Sequence, residues 1–327
     1  MPSLYHYWYR GCRSDPAVEY TGMSNLTSLS RTDTHAEERC DAVPREIHRL
    51  LANSTIELSA NGEDTIRRAA KSLAPGTPVF VPKMPTQSLE DKLEQIRILK
   101  DVGLNPVPHI VARQITSERV LSDFLEQAVA IGGVHQVLVV GGDGFNPEGP
   151  FQDAAAVIAS GILANAGISK VGVGGYPDGH PDVAVEQLQS DLKRKLALTR
   201  EQGMALSVFT QFSFEPQRIA EYCEDLRNLI PGVPVYAGLA GPTSPKQLLR
   251  FAKICGVRLS VRGANKLGLN AFRLAANSGP DKQLGVLAER GAEQTAGSLE
   301  GIHLFSFGGF VESSEWLSAK RNASGLS

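Results

Sequence analysis

Four apolar runs in this chain end in residues suited to binding or proton transfer. One stretch reads V-G-V-G-G-Y-P-D-G-H-P from Val171 to Pro181, so a run fit for a buried strand empties into glycines and then into Tyr176, Asp178 and His180. Val137 to Val140 lead in the same way into Gly141, Gly142 and Asp143, Leu206 to Phe209 into Thr210 and Gln211, and Val107 and Pro108 into His109. If these runs are parallel strands of one barrel, their C-terminal ends lie on one face and the polar residues converge there.

A fifth candidate is Glu57, the one ionisable residue of the β-branched stretch S-T-I-E-L. In a strand built for burial, a carboxyl is either desolvated, retaining its proton near neutrality as a general acid requires, or paired with a cation at the strand's wet end. The residues alone weigh the two equally. Asp143 either sets an anion against an electron-poor ring or cationic intermediate, with glycines letting the backbone come close, or caps the next loop. Gln211 offers a donor and an acceptor together, as reading an amide-like ring edge requires. A lone histidine is more often a satisfied structural residue than a ligand, but His109 and His180 on one barrel face narrow that margin. No HExxH or comparable spacing points to a metal. Lys193, Arg194, Lys195 and Arg200 crowd one segment; most of that charge belongs in solvent, and one of the four could reach a phosphate.

The elements that must position these residues alternate. Strands are expected at Ser54–Leu58, Pro78–Val81, Asn105–Val111, His135–Val140, Lys170–Gly174, Ala205–Gln211, Val233–Ala237 and Ile302–Phe307. Helical patterns fill the intervals: Thr65–Leu73, Leu89–Val102, Ser117–Ile131 with Ser117 as N-cap, Phe151–Ala166, Asp182–Gln202, Pro216–Leu229 and Pro245–Cys255. Arg258–Glu293 is long enough to add a helix or two. Such alternation, with no G-x-G-x-x-G after the first strand, favours an α/β chain folded as a (β/α)8 TIM barrel over an open doubly wound sheet. Residues 1–44 are rich in Ser, Thr, Arg and Asp without a sustained period, and are expected to form a poorly structured N-terminal extension; 45–315 form the barrel domain and 316–327 a C-terminal tail.

The 33 Lys and Arg against 35 Asp and Glu give a net charge of −2, interspersed along the chain. That balance argues against nucleic acid or an anionic membrane as partner and leaves a small molecule. Cys12, Cys40, Cys223 and Cys255 show no CxxC spacing and read as reduced thiols rather than a zinc site or disulfide framework. No apolar run reaches the ~18 residues of a membrane span and the start lacks the order of a signal peptide, so a cytoplasmic location is expected.

Taken together and in order, the motifs resemble those of methylenetetrahydrofolate reductases. That family's Y-P-x-x-H-P stands as Tyr176-Pro177-Asp178-Gly179-His180-Pro181, its P-H as Pro108-His109, its T-Q-x-x-F as Thr210-Gln211-Phe212-Ser213-Phe214, its G-D as Gly142-Asp143 and its early-strand Glu as Glu57. The resemblance runs from about residue 45 to 310. It implies a barrel that holds FAD and moves a hydride between NADH or NADPH and 5,10-methylenetetrahydrofolate, giving 5-methyltetrahydrofolate, as a homo-oligomer. On it, Glu57 would protonate the folate and open its one-carbon bridge, and Asp143 would lie between flavin and folate. Gln211 and Phe214 would bind the folate, while His109, Gly174, Tyr176, His180 and Lys195 would line the flavin site. Four departures fall mostly on the cofactor side. The turn after the second strand reads Val81-Pro82-Lys83-Met84-Pro85 in place of a V-T-Y-G-like turn, and Gly141 stands where an Arg is usual. Ala237-Gly238-Leu239-Ala240-Gly241-Pro242 replaces P-G-I-x-P, and the helix between His180 and Gln211 is about one turn longer than the family's. The competing readings are a flavin-independent or deazaflavin-dependent methylene-tetrahydropterin reductase and a folate-binding barrel without turnover; retention of Glu57, Asp143 and Gln211 together argues against the last.

Overall fold

The computed structural model describes residues 42–59, 62–83, 87–142, 146–254, 279–293 and 299–326. Eight parallel strands close into a barrel in chain order: β1 Thr55–Glu57, β2 Pro78–Val81, β3 Asn105–Val111, β4 Gln136–Val140, β5 Lys170–Gly175, β6 Ala205–Thr210, β7 Val235–Ala240 and β8 Gly301–Phe305. Parallel neighbours need a crossover between them, and helices supply it on the outside. The (β/α)8 barrel expected from the alternation of apolar runs is therefore the fold.

Period-two alternation along each strand sorts the side chains. Ile56, Val79, Val81, Val139, Val173 and Leu304 point outward and pack beneath the helices in the main core. Phe80, Val107, Leu138 and Phe209 point inward and fill the barrel, with Val140 and Tyr236 against them. Phe209 stacks on Tyr236 with centroids 4.6 Å apart and tilts against Phe80 at the same distance. Its ring has room because Gly172 carries no side chain: a Cβ there would stand 2.8 Å from Phe209 Cε2. The same inward parity on β1, β3 and β8 selects Glu57, His109 and His303.

Several expected boundaries shift for identifiable reasons. The Ala-rich segment expected as one helix over Phe151–Ala166 is two, Ala154–Ala159 and Ile162–Asn165, because Gly161 turns left-handed at φ 77° between them. Strand β7 runs on through Gly238 to Ala240 instead of stopping at Ala237. Gly238 reads as a break in sequence but is required mid-strand, since a Cβ there would fall on the Thr210 carbonyl oxygen of β6. Most of the segment 316–327, expected as a tail, belongs to a helix, Phe310–Ala323, whose Leu317 is buried and whose Trp316 donates to Asp281. Ser313 and Ser314 occupy its buried face, Ser314 donating to the Phe310 carbonyl, so small polar residues hid the apolar period. At the other end a helix spans 42–52, beginning inside the stretch expected as extension; residues 1–41 lie outside the described residues. Cys223 is buried, which pushes its thiol up to about 12 and makes it structural; the other three cysteines lie outside the described residues. Among the described residues no helix is long and apolar enough to cross a membrane.

Because Gly238 lets β7 close against the strand end that carries Gln211, Gly238→Ala is expected to lower the denaturation midpoint by about 1–3 kcal/mol of stability. An unchanged midpoint in chemical unfolding would show that the close approach is not structural.

Candidate active site

The C-terminal ends of the strands bring Glu57, His109 and His303 together. Glu57 ends β1 with its side chain 20% exposed, and its Oε2 lies 3.7 Å from His109 Nε2 and 3.9 Å from His303 Nε2. These separations exceed a hydrogen bond and are the kind that tighten when a reactant arrives. Of the two alternatives for this carboxyl, an ion pair with a permanent cation does not occur among the described residues; its neighbours are imidazoles.

Each ring is fixed by its strand. His303 faces Thr55 across the β1–β8 register, its Nδ1 2.8 Å from Thr55 Oγ1. Phe80, Phe209 and Phe305 meet it edge-on at 4.6, 5.4 and 4.7 Å, so its Nε2 side is left to Glu57. His109 lies one strand past Phe80 on the same inner face, and its Nε2 is shut off from solvent without a hydrogen-bond partner. Burial, then the nearby charge of Lys92, then that of His303, holds its protonation well below the usual imidazole range, so the ring is neutral.

Lys92 comes from the helix Leu89–Asp101, whose start is set by a capping box: Ser88 Oγ accepts from Asp91 N and Asp91 returns the bond to Ser88 N. That helix descends from the barrel mouth and turns Lys92 inward. Its side chain is buried, with Nζ donating to the His109 carbonyl at 2.6 Å and standing over the Phe124 ring. Burial first, and the charge of Lys83 second, bring this amine down to about 7.

The β8 loop is sewn to β1 beside the carboxyl. Ser306 Oγ donates to the Glu57 carbonyl, Ser59 and Ser306 hydroxyls are 2.8 Å apart, and Gly308 N donates to Ser59 Oγ. Phe307 between them takes φ 41°, the one non-glycine with positive φ among the described residues, a conformation that persists only where its surroundings over-determine it.

The β5 and β6 ends form a second group. Tyr176 and His180 meet edge-on at 5.2 Å, and the Asp182 N–H donates to His180 Nδ1, which leaves Nε2 to carry the proton. Ser213 donates to Asp178 at 3.1 Å and so ties the β6 loop to the β5 loop; burial pushes the Asp178 carboxyl up. Gln211 follows β6 with its N–H on the Gly175 carbonyl. Phe214 is buried in a cluster with Phe212, Phe307 and Leu248 rather than facing an opening. Lys195 is half-buried midway along the helix Val185–Glu201, and burial lowers its proton affinity against the opposing charges of Asp191 and Asp153. Asp143 lies outside the described residues, as do Met84 and Pro85 of the altered turn. Among the described residues no group of three or more His, Cys, Asp or Glu is placed to hold a metal ion.

Residues 61–268 match the methylenetetrahydrofolate reductase family. The chain belongs to that family. It is thus a folate-related reductase, and the match spans His109, Gly142, Tyr176, His180 and Gln211, while Glu57 precedes it and His303 follows it. Among solved structures the chain is similar to dihydropteroate synthase (FolP) from Thermus thermophilus, at 13% identity over 84% of this chain and 90% of that one, TM-score 0.43. It is also similar to a putative lyase/mutase from Burkholderia cenocepacia, at 13% identity over 87% and 86%, TM-score 0.41. N-acetylneuraminate lyase from Fusobacterium nucleatum stands at 12% identity over 80% and 69%, TM-score 0.39.

Sequence reasoning missed His303, Thr55 and Lys92. For His303 a signal existed: it alternates with Phe305 in I-H-L-F, which puts it on the inner face. Lys92 sits among the charges of an amphipathic helix and carries no such mark.

A buried amine at about 7 against 10.5 in the unfolded chain binds fewer protons folded than unfolded between those values. Its penalty is therefore full below pH 7 and fades as pH rises toward 10.5. Lys92→Met is expected to stabilise the fold by roughly 2–4 kcal/mol at pH 6 and by much less at pH 10, read by denaturant unfolding at both. A gain that does not shrink with pH would contradict the buried-amine account.

Proposed function

We propose that the protein interconverts 5,10-methylenetetrahydrofolate and 5-methyltetrahydrofolate, with NADH or NADPH and FAD, and that Glu57 is its general acid. The observation that carries this reading is the Glu57 carboxyl at the barrel mouth, partly open to a ligand and flanked by two imidazole nitrogens instead of by a Lys or Arg. Opening the one-carbon bridge requires a proton on the leaving folate nitrogen, and a carboxylic acid at that atom supplies it. The cation so formed on the folate is then next to a neutral His109, which adds no repulsion.

FAD would carry the hydride between nicotinamide and folate. The residues at the ends of β4 and β5 fit such a group: Gly141, Gly142 and Gly174 bring no side chains there, and a Cβ at Gly174 would meet the Tyr176 hydroxyl at 3.2 Å, so that ring lies over a glycine floor. His180, whose Nδ1 accepts from Asp182 and leaves Nε2 to donate, would bond to it, and the half-buried Lys195 would hold its phosphate. Gln211 would read the pterin edge, and Asp143 would stand beside the developing cation.

Glu57→Gln tests the assignment, because the amide keeps the shape and cannot release a proton. Nicotinamide oxidation with an artificial acceptor is expected to stay within a few-fold of wild type, while folate turnover falls ~10²–10⁴-fold. Equal loss in both would mark Glu57 as structural, and unchanged folate turnover would remove it from the mechanism.

A further inference from the structure

Lys92 stands beside the barrel mouth and is not used by the chemistry above. Its amine is sealed from solvent, no carboxylate pairs with it among the described residues, and its bond goes to a neutral acceptor, the His109 carbonyl at 2.6 Å. Burying an amine in this way costs stability, and a Leu or Met would fill the same space under Phe124 without that cost. The cost is concentrated one residue from the reacting carboxyl: the same His109 whose carbonyl Lys92 holds puts its Nε2 3.7 Å from Glu57 Oε2. We infer that Lys92 is a positioning residue of the active site: its amine, seated on the His109 carbonyl, fixes where the His109 imidazole stands against Glu57.

The inference rests on the reading of Glu57 as the acid, and it explains what a lone carboxyl beside two imidazoles requires. An imidazole within reach of an acid is a competing base. If His109 took the Glu57 proton, the carboxylate and imidazolium would pair and the proton would be withheld from the folate nitrogen. While the amine carries its proton, its charge beside the ring opposes that transfer, and its bond to the strand end fixes the ring's direction. The groups that face this assembly are Lys83 from the end of β2, Lys92 from the helix Leu89–Asp101, Glu57 from β1 and His303 from β8. On His109 the nearness of His303 acts in the same direction as that of Lys92, while Lys83 acts on the Lys92 amine.

The test is an NMR titration of ring-labelled histidine in the full chain, with His109 assigned by its loss in His109→Gln. In Lys92→Met the His109 protonation midpoint is expected to rise by about one pH unit, and folate turnover to fall about tenfold in kcat with KM within about twofold. Lys92→Gln retains a donor for the His109 carbonyl without the charge; it is expected to show the same rise in midpoint with a smaller loss of kcat. A merely structural lysine would leave the midpoint where it stands. An unmoved midpoint in both variants, while Glu57→Gln still abolishes folate turnover, overturns this inference alone. If Glu57→Gln leaves folate turnover intact, the acid assignment falls, and a risen His109 midpoint would still support Lys92 as the group that holds the ring proton-free.

Discussion

The site depends on the closure of β8 against β1. Glu57 and His303 are far apart in the chain and meet only because Thr55 pairs with His303 and Ile56 with Leu304 in a parallel register. Thr55, one pleat below the carboxyl, orients the His303 ring, and Ser306 binds the Glu57 carbonyl from the next turn of the chain. A slip of one residue would turn His303 out toward the helices and bring Leu304 into the barrel. The register therefore sets the chemistry as much as the residue types do.

Much of this was legible in the sequence because parallel barrel strands are buried on both sides and read as apolar runs, so β2 and β3 have the bounds expected of them. Glu57 and His109 were legible for the converse reason, as polar residues that interrupt or end such runs. The rest was hidden by physics that a single run does not display. Gly238 is indistinguishable in sequence from a turn glycine, yet its place mid-strand is dictated by a neighbouring carbonyl. The last helix buries Ser313 and Ser314, the latter bonding to the helix's own backbone, and they blur the period. Lys92 belongs to a helix with ordinary surface chemistry, and only the approach of that helix to the end of β3 turns it into a buried amine.

The interior of the barrel also limits what its mouth can do. Phe80, Phe209 and Tyr236 pack together inside the barrel, so the polar groups at its mouth stand against apolar rings. In such surroundings neutral forms are favoured and each charge matters more. His109 is kept neutral there, and Phe305 stacks on Phe307, which meets Phe212 edge-on, along the β6–β8 side. A ligand at this mouth would meet a flat aromatic and glycine surface with few polar groups, each on a fixed strand end.

Whether this mouth turns over folate is read most directly by identifying the product by mass with the wild-type protein. It would be supplied with 5,10-methylenetetrahydrofolate and NADH or NADPH, or with 5-methyltetrahydrofolate and an electron acceptor, with FAD added. The account predicts saturable one-for-one interconversion of the two folates. No conversion in either direction with any nicotinamide, flavin or artificial acceptor would contradict it.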